Sequence, residues 1–250
     1  TVGGIGVAVT GLFFILTMAL ISPPSATRAL PVRIYLTSLW LLGGLLSLGW
    51  VVKTGDGDLM FVWAFPSFIV MMIALLVVIS NSDQLSQRVR RTIPQAGWKR
   101  ALAFVFYNGA AGGLVWVAGL VAATILIALE IDTLFPKSSA PITTSGTWFA
   151  ATAAYAFAYA LTALLIHRKF FSHRPPKIAG VLAILLAGGW AVVPSVVLFF
   201  LNQLSWKSVE GLQLGNVFNV TSLREDGQRI YQLYFAGGWL LIMLGITSVG

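Results

Sequence analysis

The sequence predicts an all-α protein, a polytopic membrane helix bundle with about seven transmembrane helices. Of its 250 residues, 58% are hydrophobic and 10% are charged, whereas soluble domains carry about 25% charged residues. Seven apolar runs reach or approach the length of about 20 residues that a helix needs to cross a bilayer. They cover about 4–21, 34–52, 59–80, 101–129, 147–166, 178–203 and 231–249. We therefore expect a single transmembrane domain with lipid as its main solvent.

The charges of the six connecting loops alternate along the chain. The loops after runs one, three and five hold eleven basic residues and one acid, and the other three hold five basic residues and seven acids. The positive-inside rule places the first set in the cytoplasm, which means loops 22–33, 81–100 and 167–177. A missed or extra span would break this alternation, so the charges support seven spans.

Several runs carry features that bear on helix shape. The fourth and sixth runs are longer than a bilayer requires and are expected to tilt, kink or protrude. Pro66 and Pro194 lie inside the third and sixth runs and are expected to kink their helices. Loop 132–146 is predicted to be an external coil, and loop 205–230 is the longest external loop. The chain begins without Met and ends within an apolar run, so we expect a possible fragment of a longer protein.

Small residues recur where helices could touch. Close backbone approach at glycine is a common mode of helix packing in membranes. The predicted packing positions are the GxxxG pair Gly109 and Gly113 and the paired glycines Gly188, Gly189, Gly237 and Gly238. Packing within the bundle is the main expectation, and an interface with another copy is the second.

The sequence contains few residues that could carry out catalysis or bind a metal. It has no cysteine, and both histidines, His167 and His173, lie in the basic fifth loop. It has no metal-ligand spacing, no catalytic motif and no ATP-binding phosphate loop. We therefore predict no enzymatic activity, no cofactor and no metal. The net charge of +8 is expected to serve topology and anionic lipid rather than nucleic acid.

The apolar runs also lack charge at depth. Ion-coupled transporters keep ionisable side chains inside the bilayer, so energy for any transport is expected to come from a partner. Polar groups inside the runs, among them Thr124, Tyr155 and Tyr159, are expected to bond mostly across helices.

The third loop offers a place for that partner. Its apolar residues share one face of a short helix that Pro94 ends, and its arginines take the other side. One interpretation is an interfacial helix lying on anionic lipid. The other is a coupling helix that docks on a cytoplasmic ATPase through Leu85, Arg88, Val89, Arg90, Arg91 and Ile93.

Three segments carry a resemblance to a known family: the run Arg-Val-Arg-Arg-Thr-Ile at 88–93 before Pro94, the run 100–113, and Leu-Gly-Asn-Val-Phe at 214–218. With these segments the chain resembles a bacterial ABC exporter permease of the ABC-2 type. The resemblance implies a bacterial inner-membrane subunit that pairs with another permease half and with a nucleotide-binding ATPase. It also implies that ATP-driven closure reaches the spans through cytoplasmic loops. That family typically has six spans per half, against seven runs here.

Two functions remain open from the sequence. The first is a membrane-spanning permease subunit of an ATP-driven transporter, energised by a separate cytoplasmic ATPase. The second is a non-catalytic scaffold or accessory subunit of a larger respiratory or photosynthetic membrane complex, which the glycine-rich faces without any site would suit. Both functions imply other membrane subunits as partners.

Overall fold

The computed structural model describes residues 2–22, 27–81, 87–107, 109–134, 142–201, 214–222 and 226–249. Within these residues the chain forms ten helices and no strand. They are α1 (Val2–Ile21), α2 (Ala29–Thr54), α3 (Asp58–Ile79), α4 (Gln87–Arg91), α5 (Gly97–Phe106), α6 (Ala110–Leu134), α7 (Ile142–Phe170), α8 (Lys177–Phe200), α9 (Val217–Ser222) and α10 (Asp226–Val249).

Six of these helices, α2, α3, α6, α7, α8 and α10, are long and apolar enough to cross a membrane. Helix α1 has 20 residues and no charged side chain, so it has the length of a seventh span. The predicted all-α polytopic bundle of about seven helices is therefore confirmed. The short helices α4, α5 and α9 lie in the connections between spans.

Side-chain contacts give the relative directions of the helices. Tyr155 of α7 bonds to Gln232 of α10, and further along both helices Tyr159 packs on Trp239. Because the contacting positions advance together, α7 and α10 run parallel. Helices α2 and α6 are parallel for the same reason. Arg33 contacts Gly109 near the starts of both helices, and further along them Thr37 pairs with Trp116 and Trp40 pairs with Thr124.

These directions bring three connections to one end of the bundle. Val78, near the end of α3, lies against Gly113 near the start of α6, and Ser80 lies against Gly180 near the start of α8. The starts of α2, α6 and α8 and the ends of α3 and α7 therefore share one end, which we call the basic end. Together with the helix turns that border them, its three connections hold eleven of the sixteen Lys and Arg residues.

The core of the bundle is formed by α3, α6 and α7. The rings of Phe68, Trp148 and Phe149 pack together between α3 and α7, with centroids 4.9–5.8 Å apart. Helices α2, α8 and α10 lie outside this core and expose large apolar side chains, for example Leu46, Phe199 and Leu241. An apolar outer surface suits a lipid environment, because lipid does not penalise it as water does.

Helix α2 joins the core through small residues and indole groups. The ring of Trp63 on α3 lies against Gly43 and Gly44 of α2, and its Nε1 donates a hydrogen bond to the Trp40 carbonyl at 3.0 Å. A Cβ on either glycine would lie within 3.0 Å of the ring. The paired glycines therefore let the two backbones approach around an aromatic side chain.

The structure differs from the sequence prediction in the fourth run. Run 101–129 was expected to be one long span, but the chain breaks at 107–109 and the membrane-length helix is α6 alone. Tyr107 ends α5 with an extended backbone (φ −77°, ψ 174°), and Gly109 has a φ of +135°. Helical conformation cannot continue through these angles, and the positive φ is available mainly to glycine.

The other differences lie in the loops and at the prolines. The fourth loop begins later than predicted, because α6 continues to Leu134. Helix α10 begins at Asp226 rather than at 231, and the sixth loop contains the short helix α9, which the sequence did not predict. Helices α3 and α8 continue through Pro66 and Pro194.

Two glycines on α6 allow a matched test of packing. A Cβ at Gly113 would lie 2.6 Å from both Arg33 and Val78, whereas a Cβ at Gly119 meets no described atom within 4 Å. We expect Gly113→Ala to lower the apparent melting temperature in detergent, because overpacking costs about 1–3 kcal/mol. Gly119→Ala should leave it unchanged or raise it, since alanine favours helix. Equal effects of the two substitutions would contradict the close approach at Gly113.

Candidate functional site

The strongest candidate site lies at the basic end, where α2, α5 and α6 meet. Helix α5 has 10 residues and is therefore about 15 Å long, too short to cross a bilayer. Its last turn lies against the first turn of α6, because a Cβ on Gly112 would overlap the carbonyl oxygen of Phe104. The chain thus reverses sharply between α5 and α6, and we call the non-helical residues Tyr107 and Gly109 the α5–α6 break.

Arg33 of α2 binds this break. Its side chain is 3% exposed. Nη1 donates hydrogen bonds to the carbonyl oxygens of Val105 and Tyr107, both at 2.6 Å, and Nη2 donates to the carbonyl of Gly109 at 3.1 Å. The guanidinium carbon also lies 5.8 Å from the ring centre of Trp116 on α6. One side chain therefore connects three helices.

The chemistry of this contact follows from the helix end. The last carbonyls of a helix have no partner within the helix and carry its partial negative charge. A guanidinium offers five donors in a planar fork, so a single arginine can satisfy several carbonyls at once. Arg33 thus neutralises the C-terminal end of α5 and is itself compensated by those carbonyls, although it lies away from water.

This placement corrects the sequence analysis, which put Arg33 at the end of a cytoplasmic loop that was predicted to cover 22–33. The residue lies in the second turn of α2 and belongs to a membrane-length helix. A charge is tolerated there because Arg33 donates three hydrogen bonds and lies close to the end of the span. The spacing of Arg33, Thr37 and Trp40 at i, i+4 and i+7 was a signal for a shared polar face.

That polar face continues along α2. The Nε1 of Trp116 donates to the hydroxyl of Thr37 at 2.9 Å, and the Nε1 of Trp40 donates to the hydroxyl of Thr124 at 2.9 Å. The expectation that Thr124 bonds across helices is therefore confirmed. With the Arg33 contact, these hydrogen bonds form a ladder along residues 33–40 of α2 that fixes α2 against α6, so α2 and α6 are expected to move together.

The predicted docking residues of the third loop lie close to this site in sequence. Val89 is buried and Ile93 is half-buried, whereas Arg90 and Arg91 are exposed. The predicted helix is only five residues long, Gln87–Arg91. After it, the N–H groups of Thr92 and Ile93 donate to the carbonyls three residues earlier, and Pro94 follows. Leu85 lies outside the described residues, as does the side chain of Arg88.

Helix α5 adds further cations and apolar groups to the same end. Trp98 is 67% exposed, and the ammonium of Lys99 lies 5.4 Å from the centre of its ring. Arg100 is exposed, and so are Leu102 and Phe104. Exposed tryptophan beside lysine and arginine is typical of the interface between lipid and water. Together, α4 and α5 form a short basic module on the end of the bundle.

The predicted packing glycines divide into three groups. Gly113 makes the close contact described above, and Gly109 instead forms the α5–α6 break with its positive φ. No described atom lies within 4 Å of a Cβ built at Gly188, Gly189, Gly237 or Gly238. These four therefore do not show the expected close packing within the described chain, because α8 and α10 lie at the outside of the bundle. An interface with another copy stays a prediction for them.

A second polar cluster lies between α7 and α10. The hydroxyl of Tyr155 donates to Oε1 of Gln232, and the hydroxyl of Tyr159 donates to the carbonyl of Gly215. The backbone N–H of Gly215 donates in turn to the hydroxyl of Tyr155 at 3.1 Å. Both tyrosines were expected to bond across helices, which is confirmed for Tyr155, whereas Tyr159 bonds to a turn outside the helices. Sequence reasoning missed Gln232, which is 0% exposed, because it stands among the exposed tyrosines at the start of α10.

Neither cluster has the composition of a catalytic or metal centre. Arg33 binds neutral carbonyls, and the tyrosine cluster contains phenols, an amide and peptide groups. Among the described residues there is no group of three or more His, Cys, Asp or Glu that could hold a metal ion. The arrangement at the basic end can pass a displacement of the basic module to two spans. The polar contact of Arg33 joins that module to α2 and α6.

The chain matches no protein-family model, and searches of curated proteins and of solved structures find no significant match. Its function is therefore argued from its own residues and contacts.

Removal of the Arg33 side chain should loosen α5 selectively. We expect Arg33→Met to lower stability by about 3 kcal/mol, because the carbonyls of Val105 and Tyr107 lose the Arg33 donor while the carbonyl of Gly109 keeps the N–H of Gly113. Hydrogen–deuterium exchange of residues 97–106 should accelerate more than exchange in α7. Arg33→Lys should be intermediate, since one ammonium keeps the charge but lacks the planar fork.

The matched control is Arg90→Met, which removes an exposed arginine at the same end of the bundle. It should leave both the melting temperature and the exchange of α5 nearly unchanged. If Arg33→Met and Arg90→Met behave alike, Arg33 does not hold the α5–α6 break.

Proposed function

We propose that this chain is a membrane-spanning permease subunit of an ATP-driven transporter, energised by a separate cytoplasmic ATPase through its basic connections. The observation that carries the proposal is the contact of Arg33 with the α5–α6 break. It joins the basic module of α4 and α5, which is accessible from outside the bundle, to two membrane-length helices.

The contact gives a route for mechanical coupling. A displacement of α5 reaches α6 through the break 107–109, and it reaches α2 through the guanidinium of Arg33. Gly109 can absorb the change in backbone angles at the break, as residues at hinges do. Helix α6 packs in the core against α3 and α7, so a movement at the basic end is passed to the centre of the bundle.

The distribution of charge supports an external energy source. In the membrane-length helices every Asp, Glu, His, Lys and Arg lies within the first or last five residues. Arg33 near the start of α2 and Glu130 near the end of α6 lie furthest from a helix end. Proton-coupled and sodium-coupled transporters need ionisable groups along the path. A chain without them is better suited to a conformational cycle that is driven by a partner.

The orientation is part of the same proposal. Eleven basic residues are gathered at one end, and the positive-inside rule assigns such an end to the cytoplasm. In this orientation α4 and α5 face the compartment that holds ATP. The resemblance to ABC-2 exporter permeases would place the protein in a bacterial inner membrane, beside a second permease half.

Charge reversal at the basic end tests the proposal. We expect the triple variant Arg88→Glu, Arg90→Glu and Arg91→Glu to lose at least about tenfold of its ATPase association, because like charges at an interface cost several kcal/mol. The full-length protein would be purified from its native host in mild detergent. ATPase content would be measured by mass spectrometry and by ATP hydrolysis.

Lys53→Glu is the matched control, because Lys53 is an exposed cation at the opposite end of α2. It should leave ATPase content unchanged, and both variants should insert into the membrane at wild-type levels. Recovery of redox subunits instead of an ATPase would favour the scaffold function. An ATPase that binds the triple variant as well as the wild type would contradict the proposed docking.

A further inference from the structure

Residues 214–222, which we call the re-entrant segment, reach the interior of the bundle. The segment begins with a turn at 214–216 and continues into α9. Gly215 contacts Tyr155 and Tyr159, and Tyr155 lies near the middle of the 29-residue helix α7. At 1.5 Å per residue this position is about 20 Å from either end of the helix.

The segment enters and leaves from the same side. Helix α8 begins at the basic end and α10 runs parallel to α7, so α8 ends and α10 begins at the opposite end of the bundle. The connection from Phe200 to Asp226 therefore starts and finishes there, while Gly215 lies at mid-depth. Non-helical backbone at such depth occurs where protein surrounds it or where it lines a polar cavity.

Neutral groups hold the turn in place. The carbonyl of Gly215 accepts from Tyr159, its N–H donates to Tyr155, and its Cα lies against the ring of Trp190. Behind the turn, Oδ1 of Asn216 accepts the N–H of Phe218 at 3.0 Å, which starts α9. Val220 then fills an apolar position and is 0% exposed. These contacts are neutral, and no covalent or ionic link is among them.

The groups that face the segment line the space that it fills, which we call the crevice. These groups lie on α7, α8 and α10 and comprise two phenol hydroxyls, the amide of Gln232 and the indole rings of Trp190 and Trp239. None of these groups is charged at neutral pH. Gly215 itself presents one donor and one acceptor to two hydroxyls that lie one helical turn apart.

We propose that the re-entrant segment is a removable plug, and that the crevice it vacates is a binding site for an uncharged ligand that carries a hydrogen-bond donor beside an acceptor. The ligand would replace the N–H and C=O of Gly215 on Tyr155 and Tyr159, with the indoles against its apolar face. Access is from the end opposite the basic end. This inference stands on α7, α8 and α10 and does not rest on the ATPase.

A single introduced thiol tests the plug, because the sequence has no cysteine. Val220 on α9 and Val117 on α6 are both 0% exposed, so Val220→Cys and Val117→Cys are a matched pair. The probe is a membrane-impermeant maleimide, added to sealed vesicles of either orientation that contain the full chain. We expect Val220→Cys to react at least about tenfold faster than Val117→Cys, because local opening requires less free energy than global unfolding.

Tyr159→Phe sharpens the test. It keeps the ring on Trp239 and removes one hydrogen bond to the segment, which should raise the labelling rate of Val220→Cys about fivefold. The rate of Val117→Cys in the same background should not change, and this reports that the bundle stays folded. Deuterium uptake of residues 214–222 should rise in parallel.

The outcomes separate the alternatives. Fast labelling of Val220→Cys from the end opposite the basic end supports the plug. Equal rates for the two cysteines, or labelling of Val220→Cys from the basic end alone, overturn it. An equal increase of both rates with Tyr159→Phe would show that the tyrosine stabilises the whole bundle rather than the segment, which also overturns the proposal.

Discussion

Backbone groups that leave a helix inside an apolar bundle need hydrogen-bond partners, because an unpaired buried carbonyl costs about 1–3 kcal/mol. The α5–α6 break exposes several such carbonyls at once, and the guanidinium of Arg33 satisfies three of them. This contact fixes where α5 ends, where α6 begins and how α2 lies against both. The ladder from Thr37 to Thr124 continues the alignment that Arg33 starts.

The same requirement is met differently at Gly215. There the break in helical structure lies at mid-depth, and neutral phenols satisfy the backbone N–H and C=O. The difference follows from the cost of charge, which is highest at the centre of a bilayer and falls towards its surfaces. A guanidinium is acceptable in the second turn of α2, whereas hydroxyls suit the middle of α7. Both sites are places where the chain is not helical and is held by side chains of another helix.

These two sites also divide the bundle mechanically. Helices α3, α6 and α7 pack through buried apolar and aromatic side chains, and such packing resists small displacements. The basic module and the re-entrant segment are joined to this core by apolar side chains and also by polar contacts of their backbone groups. The two elements lie towards opposite ends of the bundle.

The sequence by itself determined the environment of the protein and the approximate positions of its spans. Apolar length and the scarcity of charge are properties of composition, so they are readable without tertiary contacts. It also indicated that Thr124, Tyr155 and Tyr159 would bond across helices, since uncharged polar groups in lipid need partners. It did not indicate the break inside run 101–129, because apolar residues continue through it and Gly109 was read as a packing position.

Only the tertiary structure decided which polar groups meet. Arg33 and Gly109 are separated by 76 positions along the chain, and Tyr155 and Gly215 by 60, so no local pattern links them. The tertiary structure also decided that Gly113 packs closely while Gly188 and Gly237 face no described atom. The physical reason is that the apolar pattern fixes whether a helix enters lipid, whereas its neighbours and its rotation depend on contacts between distant segments. In lipid those contacts are decided by shape and hydrogen bonding rather than by hydrophobicity.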